Sequence, residues 1–274
     1  MNEKIEVGRL NTLRVNRVSE PGIYLISADE TEVLLPNAYV TKSMEIDSLL
    51  EVFIYTDSED RLVSTTLKPY VYLYEFASLE IVDSAKFGAF VDIGLPKDIL
   101  VPKNKQKGTY DVGKRKVLQL QLDERTNRLI ASEKYELLKE IRDLEKNDEV
   151  EIILYSKTPL GYKVIVNNRY EGMIYHTEIF ENLKIGDKKR AYIKNIRADN
   201  KIDLSLQKIG EKISGDKVFD ILVENGGKLN FTYKSEASDI NEVFGLSKKA
   251  FKASLTKLLS EDKIILEIDA IRVK

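Results

Sequence analysis

Three times in this chain a glycine opens a strand-like apolar run: "GIYLI" from Gly22, "GAFVDI" from Gly88 and "GYKVIV" from Gly161. A second run follows each, "VLLP", "ILVP" and "GMIY". It ends at Pro36, Pro102 and Tyr175, fourteen residues after the glycine in every case. A third landmark, "DRLVSTTLK", "NRLIASEK" and "NKIDLSLQK", places Arg61, Arg128 and Lys201 a further 25, 26 and 26 residues on. Landmarks in one order at near-constant spacing mark an internal repeat. Within each copy Val, Ile, Leu, Phe and Tyr alternate with polar residues, and Gly, Pro, Asn and Asp punctuate the runs. In the second copy the strands read "ASLEIVDSA", "FGAFVDIG", "DILVP", "KRKVLQLQL" and "NRLIAS". About five short strands in so few residues predict a small barrel, and the five-stranded OB-fold is the natural candidate.

The rest of the chain has helical period. "SEKYELLKEIRDLEKND" (132–148) carries Leu137, Leu138, Ile141 and Leu144 at helical spacing behind Ser132, which predicts a connecting helix. In the tail, Val218, Phe219, Ile221, Leu222 and Val223 form the apolar side of a helix that Gly226 and Gly227 stop. "SDINEVFG" predicts a short helix capped by Ser238 and ended by Gly245. Ser247 caps a third helix lined by Phe251, Leu255, Leu258 and Leu259, and "KIILEIDAIRVK" reads as a hairpin. That order is the order of a winged helix-turn-helix. The fold class is therefore mainly β with a C-terminal α+β domain: OB domains at 1–69 (degenerate), 70–140 (with the connecting helix) and 141–210, then a winged-helix domain at 211–274.

Composition excludes most enzyme classes. The chain has no cysteine and one histidine, His176. Thiolate chemistry, cysteine zinc sites and multi-histidine metal centres are unavailable, and no carboxylate pair is spaced for acid/base work. No catalytic residue, metal or cofactor is expected. No apolar run approaches the ~20 residues that span a bilayer, so a cytoplasmic protein is expected, with no membrane partner.

"KFGAFVDIG…DILVP…DVGKRKVLQLQLDERTNRLIASEK" resembles an S1 domain, the RNA-binding OB repeat, and "EGMIYHTEI" with "NKIDLSLQ" is close to the same pattern. With the tail segment "FGLSKKAFKASLTKLLSEDKI", the whole chain resembles the conserved virulence factor B family of bacteria. That resemblance implies a cytoplasmic, non-enzymatic RNA-binding regulator. It places RNA-contacting aromatics at Phe87 and Phe90 and a polar pair at Asp123 and Arg128, while the usual histidine falls on Pro102. In the third copy the aromatic places hold Leu160 and Lys163, the histidine place holds Tyr175 beside His176, and the closing cation is Lys201. The first copy offers Pro21, Tyr24, Pro36, Asp57 and Arg61.

The residues themselves leave Phe87 open. By strand alternation it points opposite to Phe90 and plugs the barrel mouth; a bend at Gly88 would set it beside Phe90 on the outside. The resemblance favours the exposed pair. Charge ranks the copies. Residues 1–69 carry a net −5, 70–140 a net +1, 141–210 a net +2 and 211–274 a net 0, so the first copy should repel phosphate. In the third copy Lys188, Lys189, Arg190, Lys194 and Arg197 cluster about one strand; edge-strand protection is the competing explanation. Lys248, Lys249 and Lys252 lie on the third tail helix, where a solvated face is the bland alternative. Tyr162 and Lys163 complete the candidates, and a lone histidine such as His176 is more often a packing residue. The expected ligand is single-stranded RNA, held by base stacking and phosphate contacts. DNA is a weaker expectation, because lysines alone lack bidentate base readers. The other reading is a scaffold or accessory factor of RNA decay or translation with vestigial OB folds, whose partners would be RNA-decay or ribosomal proteins.

Overall fold

The computed structural model describes residues 1–179, 182–207 and 215–274. The first barrel is β1 (Leu10–Ser19), β2 (Gly22–Ile26), β3 (Glu32–Pro36), β4 (Leu49–Thr56) and β5 (Leu62–Thr65). The second is β6 (Phe76–Ala85), β7 (Gly88–Asp92), β8 (Ile99–Pro102), β9 (Arg115–Leu122) and β10 (Leu129–Ser132). The third is β11 (Glu149–Thr158), β12 (Gly161–Val166), β13 (Tyr170–Tyr175), β14 (Lys188–Ile196) and β15 (Ile202–Ser205). All three close in one order, first–second–third–fifth–fourth, with the third and fifth strands parallel. This is the five-stranded OB architecture that the repeat implied.

The repeated glycine is where each barrel is tightest. A Cβ on Gly22 would lie 2.1 Å from the Leu35 carbonyl oxygen, on Gly88 2.4 Å from that of Val101, and on Gly161 2.0 Å from that of Ile174. The second strand must therefore be side-chain-free where it crosses onto the third. Each glycine also ends a two-residue hairpin loop, since Ser19 pairs with Gly22, Ala85 with Gly88 and Thr158 with Gly161. From the glycine onward the strand alternates. Ile23 and Leu25, Ala89 and Val91, and Tyr162 and Val164 point into their cores. Each first strand carries a bulge, at Val15/Arg17, Ile81/Asp83 and Leu154/Ser156, which bends it around the closure.

The first two barrels belong to one compact unit. Leu73 of their connector donates its N–H to the Gly8 carbonyl at 2.8 Å, and Tyr72 packs against Phe53 with ring centroids 6.0 Å apart. The Lys97 ammonium reaches the Asp57 carbonyl at 2.5 Å, and Arg128 forms an ion pair with Asp60.

The connecting helix does not form. Ser132 closes β10, its hydroxyl bonded to the Lys134 carbonyl at 2.6 Å, and residues 133–148 hold no helix. A short isolated helix is marginal in water. Here the segment instead gains fixed partners on the third barrel: Leu138 donates to the Arg169 carbonyl at 2.8 Å, Asp143 pairs with Arg169 at 2.7 Å, and Ile141 and Leu144 pack on the core.

The tail is α1 (Gly215–Glu224), β16 (Lys228–Leu229), α2 (Ala237–Phe244), α3 (Lys248–Ser260), β17 (Ile264–Leu266) and β18 (Ile271–Val273). Val218, Leu222, Ile240, Phe244, Phe251, Leu255 and Leu258 form its core, whereas Val223 faces out. Ser247 caps α3 by accepting the Ala250 N–H at 3.2 Å, and Gly245 ends α2 in the left-handed region at φ 60°. Ser238 is not a cap; α2 begins a residue earlier, and the Ser238 hydroxyl turns to Asp239. The domain limit at 210/211 and Lys208 of the third landmark lie outside the described residues. No described helix is long and apolar enough to cross a membrane.

Replacing Gly88 by alanine sets a methyl group against a backbone carbonyl that cannot swing away. It should cost about 1–3 kcal/mol, read as a lower urea midpoint for the second barrel with its slope unchanged.

Candidate nucleic-acid interface

Phe87 escapes strand alternation because it is not in the strand. It is the second residue of the Lys86–Phe87 hairpin loop, ahead of β7. Gly88 takes no left-handed conformation; it serves the close approach to Val101 instead. The loop leaves Phe87 62% exposed and beside half-buried Phe90, with ring centroids 6.0 Å apart and planes at 88°. Lys86 adjoins Phe87 and is exposed, and exposed Lys103 donates its backbone N–H to the Phe87 carbonyl at 2.9 Å. This end of the second barrel joins an open aromatic pair to two cations.

The middle of the same face is acidic. Asp83 is opposite Phe90 in the β6–β7 ladder, and Asp92 follows on the same side. Desolvation, followed by the charges of Asp92 and Asp83, raises the Asp98 carboxyl above its ordinary range. Phosphates are repelled there, whereas base edges that donate hydrogen bonds are not. Asp123 is turned to its own loop. It accepts the Arg125 N–H at 3.1 Å and the Thr126 N–H at 3.0 Å, and the Thr126 bonds lead in holding it below the usual carboxylate range. Arg128 is engaged by Asp60 of the first barrel rather than by Asp123.

In the first barrel the matching outward position is Tyr24, and it is covered. The Arg17 guanidinium stacks 3.7 Å from the ring centroid and holds Glu32 through two hydrogen bonds of 2.9 and 2.7 Å. Asp57 and Arg61 close on each other at 2.7 Å. Both platform and cation are satisfied within the barrel.

The third barrel is rearranged. Leu160 occupies the Phe87 place and is 64% exposed, while Lys163 in the Phe90 place is paired with Glu171 at 2.8 Å. Tyr162 is not on the outer face. It is buried in the core, with its hydroxyl donating to the Leu183 carbonyl at 3.1 Å, and the alternation that puts Lys163 outside requires this. Exposed His176 sits edge-on to that ring at 6.4 Å. Tyr175 is brought together with Arg197, which donates to the Tyr175 hydroxyl and to Asp203 at 2.9 Å. The bonds to Asp203 lead in raising the guanidinium pKa above its ordinary value. Lys146, Lys194, Asn195, Tyr175 and Asp203 line an open cleft of about 450 Å³ here. Lys194 pairs with Glu178 at 2.5 Å and Lys201 with Asp199 at 2.8 Å. Exposed pairs of this kind are worth only ~0–1 kcal/mol, so a phosphate competes for such cations. Edge protection does not account for the basic strand, since β14 pairs with β11 on one side and β15 on the other. Arg197 is the member that sequence spacing undervalued: it stands four residues before Lys201, where the first copy has Asp57 before Arg61.

On α3, Lys249 and Lys252 are exposed opposite Phe251 and Leu255, with no ion-pair partner among the described residues, and Lys248 leans to the Lys234 carbonyl at 3.4 Å. The β17–β18 hairpin differs from a basic wing. Its Ile268 is 94% exposed between Glu267 and Asp269, and Glu267 is held by Lys228 at 2.6 Å and Arg272 at 3.1 Å.

Closed five-stranded barrels ahead of a winged helix define a class of tandem OB and winged-helix proteins. Family comparison agrees: residues 7–67 match the S1 domain family and residues 216–273 the CvfB-like winged helix domain. The S1 match falls on the first barrel, the copy whose outward ring, Tyr24, is covered by Arg17. The chain is also related over nearly its full length to proteins named Conserved virulence factor B. The one from Staphylococcus saprophyticus is 25% identical over 281 residues, covering 97% of this chain and 94% of the relative. The protein YitL of Bacillus subtilis is 26% identical over 279 residues, covering 97% and 93%. A solved multidomain protein with nucleic acid binding domains from Streptococcus pneumoniae aligns over 98% of both chains, with 21% identity and a TM-score of 0.45.

Asp98 predicts a pH-linked effect. A carboxyl whose folded pKa is raised loses stability on ionising: the loss is absent below the ordinary aspartate value and complete above the raised one. Asp98→Asn should therefore raise stability at neutral pH and leave it unchanged at pH 3.

Proposed function

We propose that this is a non-enzymatic, cytoplasmic RNA-binding regulator that holds single-stranded RNA and acts after transcription. The observation that carries the reading is the Phe87–Phe90 pair, exposed at one end of the second barrel between Lys86 and Lys103. Stacking on such rings is sequence-tolerant because every base has a π-face. The third barrel adds Leu160, Lys163, Tyr175, His176, Lys194 and Lys201 around the Arg197–Asp203 pair, and α3 adds Lys248, Lys249 and Lys252. Each site is incomplete by itself, and linkage in one chain multiplies weak affinities. The first barrel contributes no open stacking face. The acidic, apolar hairpin tip of the winged helix disfavours DNA backbone contact and favours RNA support by α3.

A second reading has one observation in its favour. The Ile268 tip is almost fully exposed, as a docking point on a scaffold for RNA-decay or ribosomal proteins would be.

The double variant Phe87→Ala/Phe90→Ala should weaken binding of a 12-nucleotide oligouridylate by about 5- to 150-fold, the loss of one stack at ~1–3 kcal/mol. Lys249→Glu/Lys252→Glu should flatten the dependence of log affinity on log salt. Unchanged affinity in both variants, with intact folding, contradicts the proposal.

A further inference from the structure

The Phe87–Phe90 pair occupies one end of β7. A further aromatic ring stands at the other end. Tyr70 lies in the connector between the first and second barrels, and its N–H donates to the Ile93 carbonyl at 2.8 Å, just past β7. Its ring rests against Gly94, which has a φ of +80°; a Cβ there would meet the ring at 3.0 Å. The position is thus built by backbone and by the absence of a side chain. Yet the ring is 57% exposed, and among the described residues it has no ring or cation partner and its hydroxyl no hydrogen bond. Its neighbours are accounted for by packing: Val71 and Leu73 are buried, and Tyr72 lies against Phe53. Nothing among the described residues employs the free face of Tyr70.

Charge is arranged to match. Val91 pairs with Ile99, so the start of β8 lies level with the Gly94 end of β7. β10 runs parallel to β8 with Ile130 opposite Leu100, which brings Arg128 level with Asp98, and Lys97 is at the same end. Along the face the order is therefore Phe87 with Lys86 and Lys103, then the carboxylates Asp83, Asp92 and Asp98 with Arg128 level with Asp98, then Tyr70 with Lys97. Phosphates are accepted at both ends and refused in the middle. Phe90 and Gly94 are four residues apart, ~13 Å of extended strand, a span bridged by a strand of the ~4–16 nucleotides that an OB fold covers.

We propose that Tyr70 is a second base-stacking platform for single-stranded RNA, so that the second barrel holds one strand at two points, at Phe87–Phe90 and at Tyr70. The inference rests on the reading of the second barrel as an RNA site and extends it into the connector. It makes the first–second barrel junction part of the interface, because Lys97, at the Tyr70 end, also reaches the Asp57 carbonyl of the first barrel.

The test uses the full chain, a labelled 12-nucleotide oligouridylate, and the variants Tyr70→Ala, Tyr70→Phe and Phe87→Ala/Phe90→Ala. Tyr70→Ala should weaken 12-mer binding by about 5- to 150-fold and melt with the parent protein. Tyr70→Phe keeps the ring and should bind as the parent does. Photocrosslinking with a 4-thiouridine 12-mer, followed by peptide mapping, should mark Tyr70, which a merely structural role would not produce. Parental 12-mer affinity in Tyr70→Ala, or an absence of crosslinks at Tyr70, overturns the proposal. If Phe87→Ala/Phe90→Ala has no effect while Tyr70→Ala does, the Tyr70 platform stands and the aromatic-pair site falls. If neither variant has an effect, both fall.

Discussion

The structure depends on one close approach, repeated three times: a glycine of each barrel's second strand passing the carbonyl of the third at a distance no side chain tolerates. It fixes the register of strands two and three and ends a two-residue hairpin loop. It also sets which way every later residue of the strand points. The residue just before it, Pro21, Phe87 or Leu160, is left in the loop and outside the alternation. The residue two after it, Tyr24, Phe90 or Lys163, faces out while its neighbours face in. Fold and binding surface are thereby separated. The inward residues must stay apolar to close the barrel, and the loop and outward positions are free to change.

The three copies use that freedom differently. The first folds its own Arg17–Glu32 pair over the stacking face, which satisfies a charge and an aromatic ring at once. The second leaves two rings open and places cations at the ends and carboxylates between them. The third exchanges stacking for charge, with an exposed leucine, a tyrosine–arginine–aspartate cluster and several weak ion pairs. On the proposed RNA-binding reading, a chain built this way gains affinity from linkage, because no copy holds a full set of contacts.

Much of the fold was legible in the sequence because periodicity reports burial directly. The spacing from glycine to the end of the third strand is covalent and survives low identity between copies. The winged helix was legible from Ser247, Gly245 and Gly226–Gly227, whose capping chemistry is local. The helix expected at 132–148 was not, since Leu137, Leu138, Ile141 and Leu144 fit a helical stripe equally well when tertiary bonds to Arg169 hold the segment otherwise. Tyr162, a candidate contact by residue type, lies inside, as counting from Gly161 along the strand requires. Arg197 and Tyr70 carry weak signals for different reasons. Arg197 replaces an acid in the repeat, which only a position-by-position comparison exposes, and Tyr70 lies in a connector with no repeated counterpart. Arg128 was found by spacing, but its partner Asp60 belongs to another barrel and no pattern predicts that pairing.

The central claim is that an RNA strand is held by the open aromatic face of the second barrel and not by the covered face of the first. NMR titration of the full chain with a short oligouridylate tests this directly. The account predicts shifts concentrated at Phe87, Phe90 and Lys103, with Tyr24 and Arg17 unmoved. Shifts at Tyr24 with none at Phe87 would contradict it.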